Sequence, residues 1–366
     1  MIEGQILQVA NALIGLSCVL SVTVIAVAKI SRGRADLRSS VLLMPYRSSL
    51  LAVACGEDED SQAKGLLCAM SPATWDRLRP SVVTFLTKVR GASADDLAEV
   101  LRSHGEIETA KGMLTSRSAV RRARGAYLLG LVRDSGSANL VLPLLEDPDA
   151  DVRLVAARAL GSMGEASAAT GILHALHTNH GQIGLPAWVA AEALLAMGAE
   201  IAPALHIGLT SDDPAVRNVS ALVAGHGVFL SAAPQLRILL ASDSDADVRA
   251  SAAVALGRVG DGDDVVSLAR HAGVSEMTHL RRTCVTALGD LGHRGSLRVL
   301  GVLLGDEDRR LAELAATSLV RIGSEGIARL EEAAATTTQN PSGRAADGAL
   351  ELARLRGWVA NVVKSS

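Results

Sequence analysis

The chain has 366 residues, a formal net charge of −3, and a composition that is 49% hydrophobic but only 2% aromatic. So balanced a charge excludes the basic footprint of a nucleic-acid binder. The four cysteines, at 18, 55, 68 and 284, have no C-x-x-C spacing and support neither a disulfide framework nor a zinc site. An apolar mass of Ala, Leu and Val, with no long stretch alternating at period two, predicts an all-α protein.

The chain opens on an apolar run. No residue from Gly4 to Ala28 is charged, and twenty-five helical residues reach roughly 37 Å, enough for a hydrocarbon core of about 30 Å. This predicts one transmembrane signal-anchor over 1–30. Only Glu3 is charged before it, whereas Lys29, Arg32, Arg34 and Arg38 follow. The positive-inside rule then puts the N-terminus outside and the remainder in the cytoplasm. The competing reading is a signal peptide cut after Ala26-Val27-Ala28, which would make this a secreted binding protein. Its n-region would lack Lys and Arg, its apolar stretch would be long, and cleavage would leave three cysteines, an odd number, in an oxidising space. Residues 31–45 form a basic juxtamembrane linker whose arginines suit anionic headgroups.

Residues 46–114 read as an atypical helical N-terminal cap, with helices over 47–55, 72–90 and 94–103 separated by the acidic run 57–60 and by Gly91. The acidic run reads as a solvated turn and not as a metal loop.

From 115 to 357 one phrase recurs. Its cleanest copy runs from Asp247-Val248-Arg249 to Leu256-Gly257 and Gly260; others run from Asp151-Val152-Arg153 to Gly164, from Leu280-Arg281 to Gly292, and, more weakly, from Val216-Arg217 to Gly225. With the arginine as marker, equivalent positions are 122, 153, 187, 217, 249, 281, 312 and 346, at intervals of 30 to 34 residues. Each copy is an apolar helix, an Asp-rich turn, a second apolar helix and a glycine stop. Aspartates at 149, 151, 213, 243, 245 and 247 suit N-caps, and Gly164, Gly260, Gly292 and Gly323 suit left-handed C-caps. Positions −1, +3, +4, +7 and +10 from the marker form a buried stripe. Asp151, Arg153, Arg217, Asp247, Arg249 and Arg281 recur beside the turns and predict an inter-repeat Asp–Arg ladder. Residues 358–366 are a C-terminal tail.

The phrase Asp-x-Asp-Val-Arg-x-x-Ala-Ala-x-Ala-Leu-Gly-x-x-Gly is similar to HEAT and phycobilisome-lyase-type HEAT-like repeats. The resemblance implies a right-handed α-solenoid of about eight helix-turn-helix repeats that presents an interaction surface. The deoxyhypusine hydroxylase branch of such folds carries His-Glu pairs for a di-iron centre, and no His-Glu dipeptide occurs here. Phycobilin lyase activity is not favoured by a membrane anchor.

No phosphate loop, nucleophile elbow or H-E-x-x-H zinc helix is present, and no cofactor is expected. His174, His177 and His180, three apart near a helix end, are the one cluster that suggests a metal-binding or lyase-like enzyme as an alternative. No Cys, Asp or Glu nearby in sequence completes that site.

In HEAT solenoids the second helices line the concave side, exposing positions +1, +5 and +9. Those rows supply Tyr127, Leu154, Arg158, Trp188, Glu192, Leu222, Arg258 and Arg282 as the candidate partner-binding surface, with the apolar and aromatic anchors in the earlier repeats. The expectation is a non-enzymatic scaffold or adaptor at a bacterial cell membrane that binds a protein. Its Ala-rich, Arg-rich and Lys-poor composition resembles that of a high-GC bacterium, where such proteins accompany integral membrane enzymes such as glycosyltransferases.

Overall fold

The computed structural model describes residues 44, 46–177, 184–336 and 341–355. The expected anchor over 1–30, most of the linker after it and the tail at 358–366 lie outside the described residues, as do Lys29, Arg32, Arg34, Arg38 and His180. Every regular element among the described residues is helical. None of these helices alone is long and apolar enough to cross a membrane. The chain divides into two compact units, one ending at Glu108 and one beginning at Thr109.

The first unit contains α1 (46–55), α2 (Gln62–Cys68), α3 (Pro72–Leu86), α4 (Ala92–Ser103) and the start of α5 (Glu106–Met113). Sequence reading missed α2 because it is short and carries Gly65. Asp58 organises its start, accepting the Ala63 and Lys64 N–H groups at 2.9 and 2.8 Å. The core gathers Leu50, Val53, Leu67, Leu78, Val82 and Leu97 around Trp75. The Trp75 indole donates to buried Glu106 at 2.8 Å and stacks on His104 with ring centroids 4.0 Å apart.

The second unit is a succession of helix pairs. Its second helices are α6 (Ala119–Leu131), α8 (Ala150–Met163), α10 (Ala187–Ala196), α12 (Pro214–His226), α14 (Ala246–Val259), α16 (Thr278–Leu291), α18 (Arg309–Ile322) and α20 (Pro341–Leu355). Between them run the first helices α7 (Ala138–Val141), α9 (Ala169–His174), α11 (Ala202–Leu209), α13 (Ala233–Ser242), α15 (Asp264–His271), α17 (Ser296–Leu303) and α19 (Ser324–Thr336). Each second helix packs on the next, from α6 to α20, and the predicted stripe is buried: Val248, Ala252, Ala253, Leu256 and Val259 are all at most 5% exposed.

Glycine eight residues after the marker sets this packing. A Cβ on Gly130 would lie 2.6 Å from the Ala159 Cα, one on Gly161 2.7 Å from the Ala193 carbonyl oxygen, and one on Gly225 2.7 Å from the Ala255 Cα. Gly257 meets Ala287, and Gly289 meets Ser318, in the same way. Consecutive second helices therefore touch backbone to backbone, which only glycine against a very small residue permits. The α10–α12 and α18–α20 junctions depart from the pattern: Leu195, 37% exposed, and Val320, 7% exposed, stand where glycine is expected.

The aspartates divide their work. Asp149, Asp213, Asp245 and Asp308 are the N-caps, each accepting backbone N–H from the first turn of its helix. The residues two before three of these caps, Asp147, Asp243 and Asp306, receive the markers of the preceding repeat. Arg122 chelates Asp147 at 2.6 and 2.7 Å, Arg217 chelates Asp243 at 2.7 and 2.9 Å, and Arg281 bonds Asp306 at 2.5 Å. Arg153 and Arg249 instead donate to the main-chain carbonyls of Asp147 and Asp243, at 2.7 and 2.8 Å. Asp151 and Asp247 stand exposed in the first turns of α8 and α14, so the carboxylates of the ladder are those four positions earlier. Between α13 and α15 a different bridge appears, Arg237 gripping Asp264 at 2.7 and 3.0 Å and Asp261 at 2.9 Å.

Gly164 and Gly292 adopt the expected left-handed stop, with φ of 72° and 65°. Gly260 does not: its φ is −75°, and a Cβ there would lie 2.4 Å from the Leu256 carbonyl oxygen of the helix end and 2.6 Å from Asp264 Oδ2 of the acidic turn, so only glycine fits.

Two predictions test this packing. Gly161→Ala is expected to destabilise the second unit by about 1–3 kcal/mol through overpacking. Gly348→Ala, at a helical position with open space around it, is expected to be neutral or to stabilise by up to about 1 kcal/mol. Urea denaturation followed by circular dichroism compares them, and equal effects would contradict the close-approach account. Burial pushes the Asp147 and Asp243 carboxyls up, but their arginines and the capped N–H groups outweigh it and hold both below the ordinary value of 3.8. Their stabilisation is therefore complete at neutral pH and is lost as pH falls below about 4, through the lowered folded values. Asp243→Asn should lower stability at pH 7 by about 1–3 kcal/mol, and the difference from the parent should shrink toward pH 3.

Candidate partner-binding surface

The side of each second helix turned away from its buried stripe carries the +1, +5 and +9 rows, and the structure treats their members unequally. Trp188 is 62% exposed and Tyr127 43%, large fractions for aromatic side chains in a chain with so few. Leu154 and Leu222 are half-buried between neighbouring repeats, and Arg258 is exposed. Arg282 is drawn into the stack, chelating the α18 N-cap Asp308 at 2.8 and 2.9 Å, which holds the aspartate below the ordinary carboxylate range.

Three of these residues form one cluster across α8 and α10. The Arg158 guanidinium carbon lies 5.1 Å from the centroid of the Trp188 ring, in cation–π range, and its Nε donates to Glu192 Oε2 at 3.2 Å. α8 places Arg158 one and a half turns after its marker; α10 brings Trp188 and Glu192 to one face because they are four residues apart. The ion pair itself contributes little at this exposure. Its consequence is positional: a long side chain and an indole are held together at the surface with the ring still largely open to solvent.

The second-helix surface includes residues that the row analysis did not select. Arg124 is exposed on α6 one turn before Tyr127, Arg121 is exposed at the −1 position on another side of that helix, and the segment 109–133 holds six basic residues and no acidic one. A simple charge count over that window would have revealed them.

The histidines do not assemble a metal centre among the described residues, where no group of three His, Cys, Asp or Glu side chains could hold an ion. His174 and His177 meet edge to face with ring centroids 5.1 Å apart, and His177 Nδ1 pairs with the carboxylate of Asp213, the α12 N-cap. That partner lies 36 residues away, out of reach of any local motif. Cys284 is sealed in the core, and burial pushes its thiol up to about 12, which removes it as a nucleophile at neutral pH.

Paired helices stacked through their second members define an α-solenoid. Residues 107–194 and 275–350 match the family described as HEAT repeats, so the chain carries repeats of that kind. The first matched stretch stops at 194, beside the irregular α10–α12 junction. No curated protein matches the sequence. Among solved structures, a substituted form of Kap121p is similar over 83% of this chain and 40% of its own, at 12% identity and a TM-score of 0.51. The chain thus spans less than half of that protein, and the likeness concerns the fold alone. An engineered protein matches at 17% identity over 84% of this chain and 98% of that chain, with a TM-score of 0.38. The CpcE–CpcF complex of phycocyanin lyase from Nostoc sp. PCC7120 matches at 20% identity over 62% and 92%, with a TM-score of 0.34.

Because Arg158 and Trp188 support no buried group, Trp188→Ala and Arg158→Ala are each expected to change unfolding free energy by at most about 0.5 kcal/mol. A loss above about 2 kcal/mol in urea denaturation would show that the cluster belongs to the core and not to a surface.

Proposed function

We propose that this protein is a scaffold or adaptor that binds a protein partner through the second-helix face centred on Tyr127, Arg158 and Trp188, and is tethered to a bacterial cell membrane by its N-terminal segment. The observation that carries the reading is the Trp188 ring, 62% exposed and held beside Arg158 on a stack whose other large apolar side chains are mostly enclosed. Exposed aromatic and arginine anchors carry most of the energy of protein interfaces. The HEAT fold supports such a role without fixing a partner.

The tether rests on the uncharged run from Gly4 to Ala28 and on the basic residues at 29, 32, 34 and 38, which put the repeats on the cytoplasmic side. Confinement to two dimensions raises the effective concentration of the repeats toward integral membrane proteins without any new contact. An integral membrane enzyme such as a glycosyltransferase is the partner this setting suggests.

Affinity capture from solubilised membranes, using the full chain and its Trp188→Ala, Arg158→Glu double variant, tests the surface. The same partner is expected to be retained at least ~30-fold less by the variant, from about 2 kcal/mol lost at an anchor. Undiminished capture by a folded variant would retire this face. Alkaline carbonate extraction tests the tether: the full chain should stay in the membrane pellet and a chain beginning after Arg38 should leave it.

A further inference from the structure

The turn between α12 and α13 is unlike its counterparts. Eleven residues after the marker, Gly164, Gly198, Gly292 and Gly323 take the left-handed backbone that ends a second helix, and at the same place Val228 takes it with a φ of 55°. A β-branched residue is strained there, and burial does not offset the strain, because Val228 is 55% exposed. Its neighbour Phe229 turns inward against the repeat core, so close over Gly227 that a Cβ there would lie 2.3 Å from the ring. Leu230, on the other side, is 67% exposed. Leu230, Pro234 and Ile238 then follow at intervals of four, which sets them along one side of the segment running into α13, and Ile207 is exposed on the adjacent first helix α11. This patch is uncharged. α11 holds no Asp, Glu, Lys or Arg, and from Gly227 to Ser242 the only one is Arg237, which grips Asp264 and Asp261. The nearest acidic residues lie beyond it, Glu200 ahead of α11 and Asp212 and Asp243 in the turns that follow the two helices. The corresponding turns of the other repeats each place a charge where this one is apolar: Asp134, Glu165, Glu200, Asp261, Arg294 and Glu325.

We infer that this first-helix patch, made of Ile207, Val228, Leu230, Pro234 and Ile238, lies in the headgroup–acyl boundary of the bilayer. The inference depends on the reading of the N-terminal segment as a tether and adds which side of the repeats meets lipid. Protein interfaces are anchored by aromatic rings and arginines, with Leu and Val under-represented among their energetic centres. The patch exposes no aromatic ring and no free arginine; those stand on the second helices, at Tyr127, Arg158 and Trp188. Aliphatic side chains without a nearby carboxylate are instead what an acyl boundary accepts, since no charge has to be taken toward hydrocarbon. The chain also brings the surface within reach. Residues 29–45 are all that separates the uncharged run from α1, and fully extended at about 3.3 Å per residue they span no more than about 56 Å. A tether so short lets a weak apolar contact persist, because the effective concentration of lipid is already high.

The test places the full chain in nanodiscs of phosphatidylcholine and phosphatidylglycerol, with and without nitroxide-labelled acyl chains. A fluorescent unnatural amino acid replaces Leu230 or, for reference, Trp188. Emission from position 230 is expected to lose most of its intensity in the nitroxide discs, and emission from position 188 to keep it. Because the patch is uncharged, raising the salt to ~1 M should leave the quenching unchanged. An Ile207→Asp, Ile238→Asp variant, altered only at exposed positions, should keep its helical circular dichroism and recover the emission at 230. Equal emission at 230 in both kinds of disc, from a chain that co-elutes with them, would overturn the inference and leave the tether in place. Quenching that survives in the double variant would overturn it too, as would a protein adduct from benzoyl-phenylalanine at Leu230 in cells, which would give the patch to a protein. A chain that does not enter the discs defeats the tether, and this inference with it.

Discussion

The constraint on which the rest of the repeat unit depends is the backbone-to-backbone approach of consecutive second helices. Gly130, Gly161, Gly225 and Gly257 each face an alanine of the next repeat across a gap too narrow for one more carbon. That spacing explains the composition. A core built on such contacts has room for Ala, Val and Leu and little for aromatic rings: Trp75 lies in the first unit, Phe229 packs only partly buried against the edge of the repeat core, and Tyr127 and Trp188 stay on the surface. The surface anchors are in this sense a by-product of the core: what the stack cannot enclose, it displays.

Electrostatics then fixes the register of neighbouring repeats at the turn edge. Arg122, Arg217 and Arg281 each reach forward about 25 residues to a carboxylate held by the next turn. The carboxylate also accepts the N–H of the following cap residue, so one aspartate ties together a marker, a turn and a helix start. At the α10–α12 junction the marker is Ala187 and Leu195 replaces the glycine, and the turn residue is Ser211, whose Oγ still accepts the N–H of the cap Asp213 at 3.2 Å. There His177, from the long turn ahead of α10, pairs with the N-cap Asp213.

Much of this was legible in the sequence because repetition multiplies weak signals. One Asp-Val-Arg phrase is uninformative, but its recurrence every 30 to 34 residues gave the helix pairs, their caps and the buried stripe. Exposure of Tyr127 and Trp188 followed from the same periodicity, since +5 and +1 lie opposite the stripe. What escaped was whatever depends on residues distant in sequence. The ladder was expected at Asp151 and Asp247, beside the arginines in sequence, whereas the arginines reach Asp147 and Asp243 from the repeat before. Arg282 appeared free by its row, and its tie to Asp308 comes from the next repeat. Gly260 looked like a left-handed cap and proved to be a close-approach glycine, because sequence shows where a glycine stands and not which of its two liberties is used.

The central claim is that the second-helix face at α8 and α10 is where a partner docks. Site-specific photo-crosslinking in intact cells tests it most directly, with benzoyl-phenylalanine placed in turn at Trp188 and, on a first helix, at Ile238, which is 56% exposed. The account predicts a discrete protein adduct from position 188 and none from position 238. An adduct from 238 with none from 188 would contradict it.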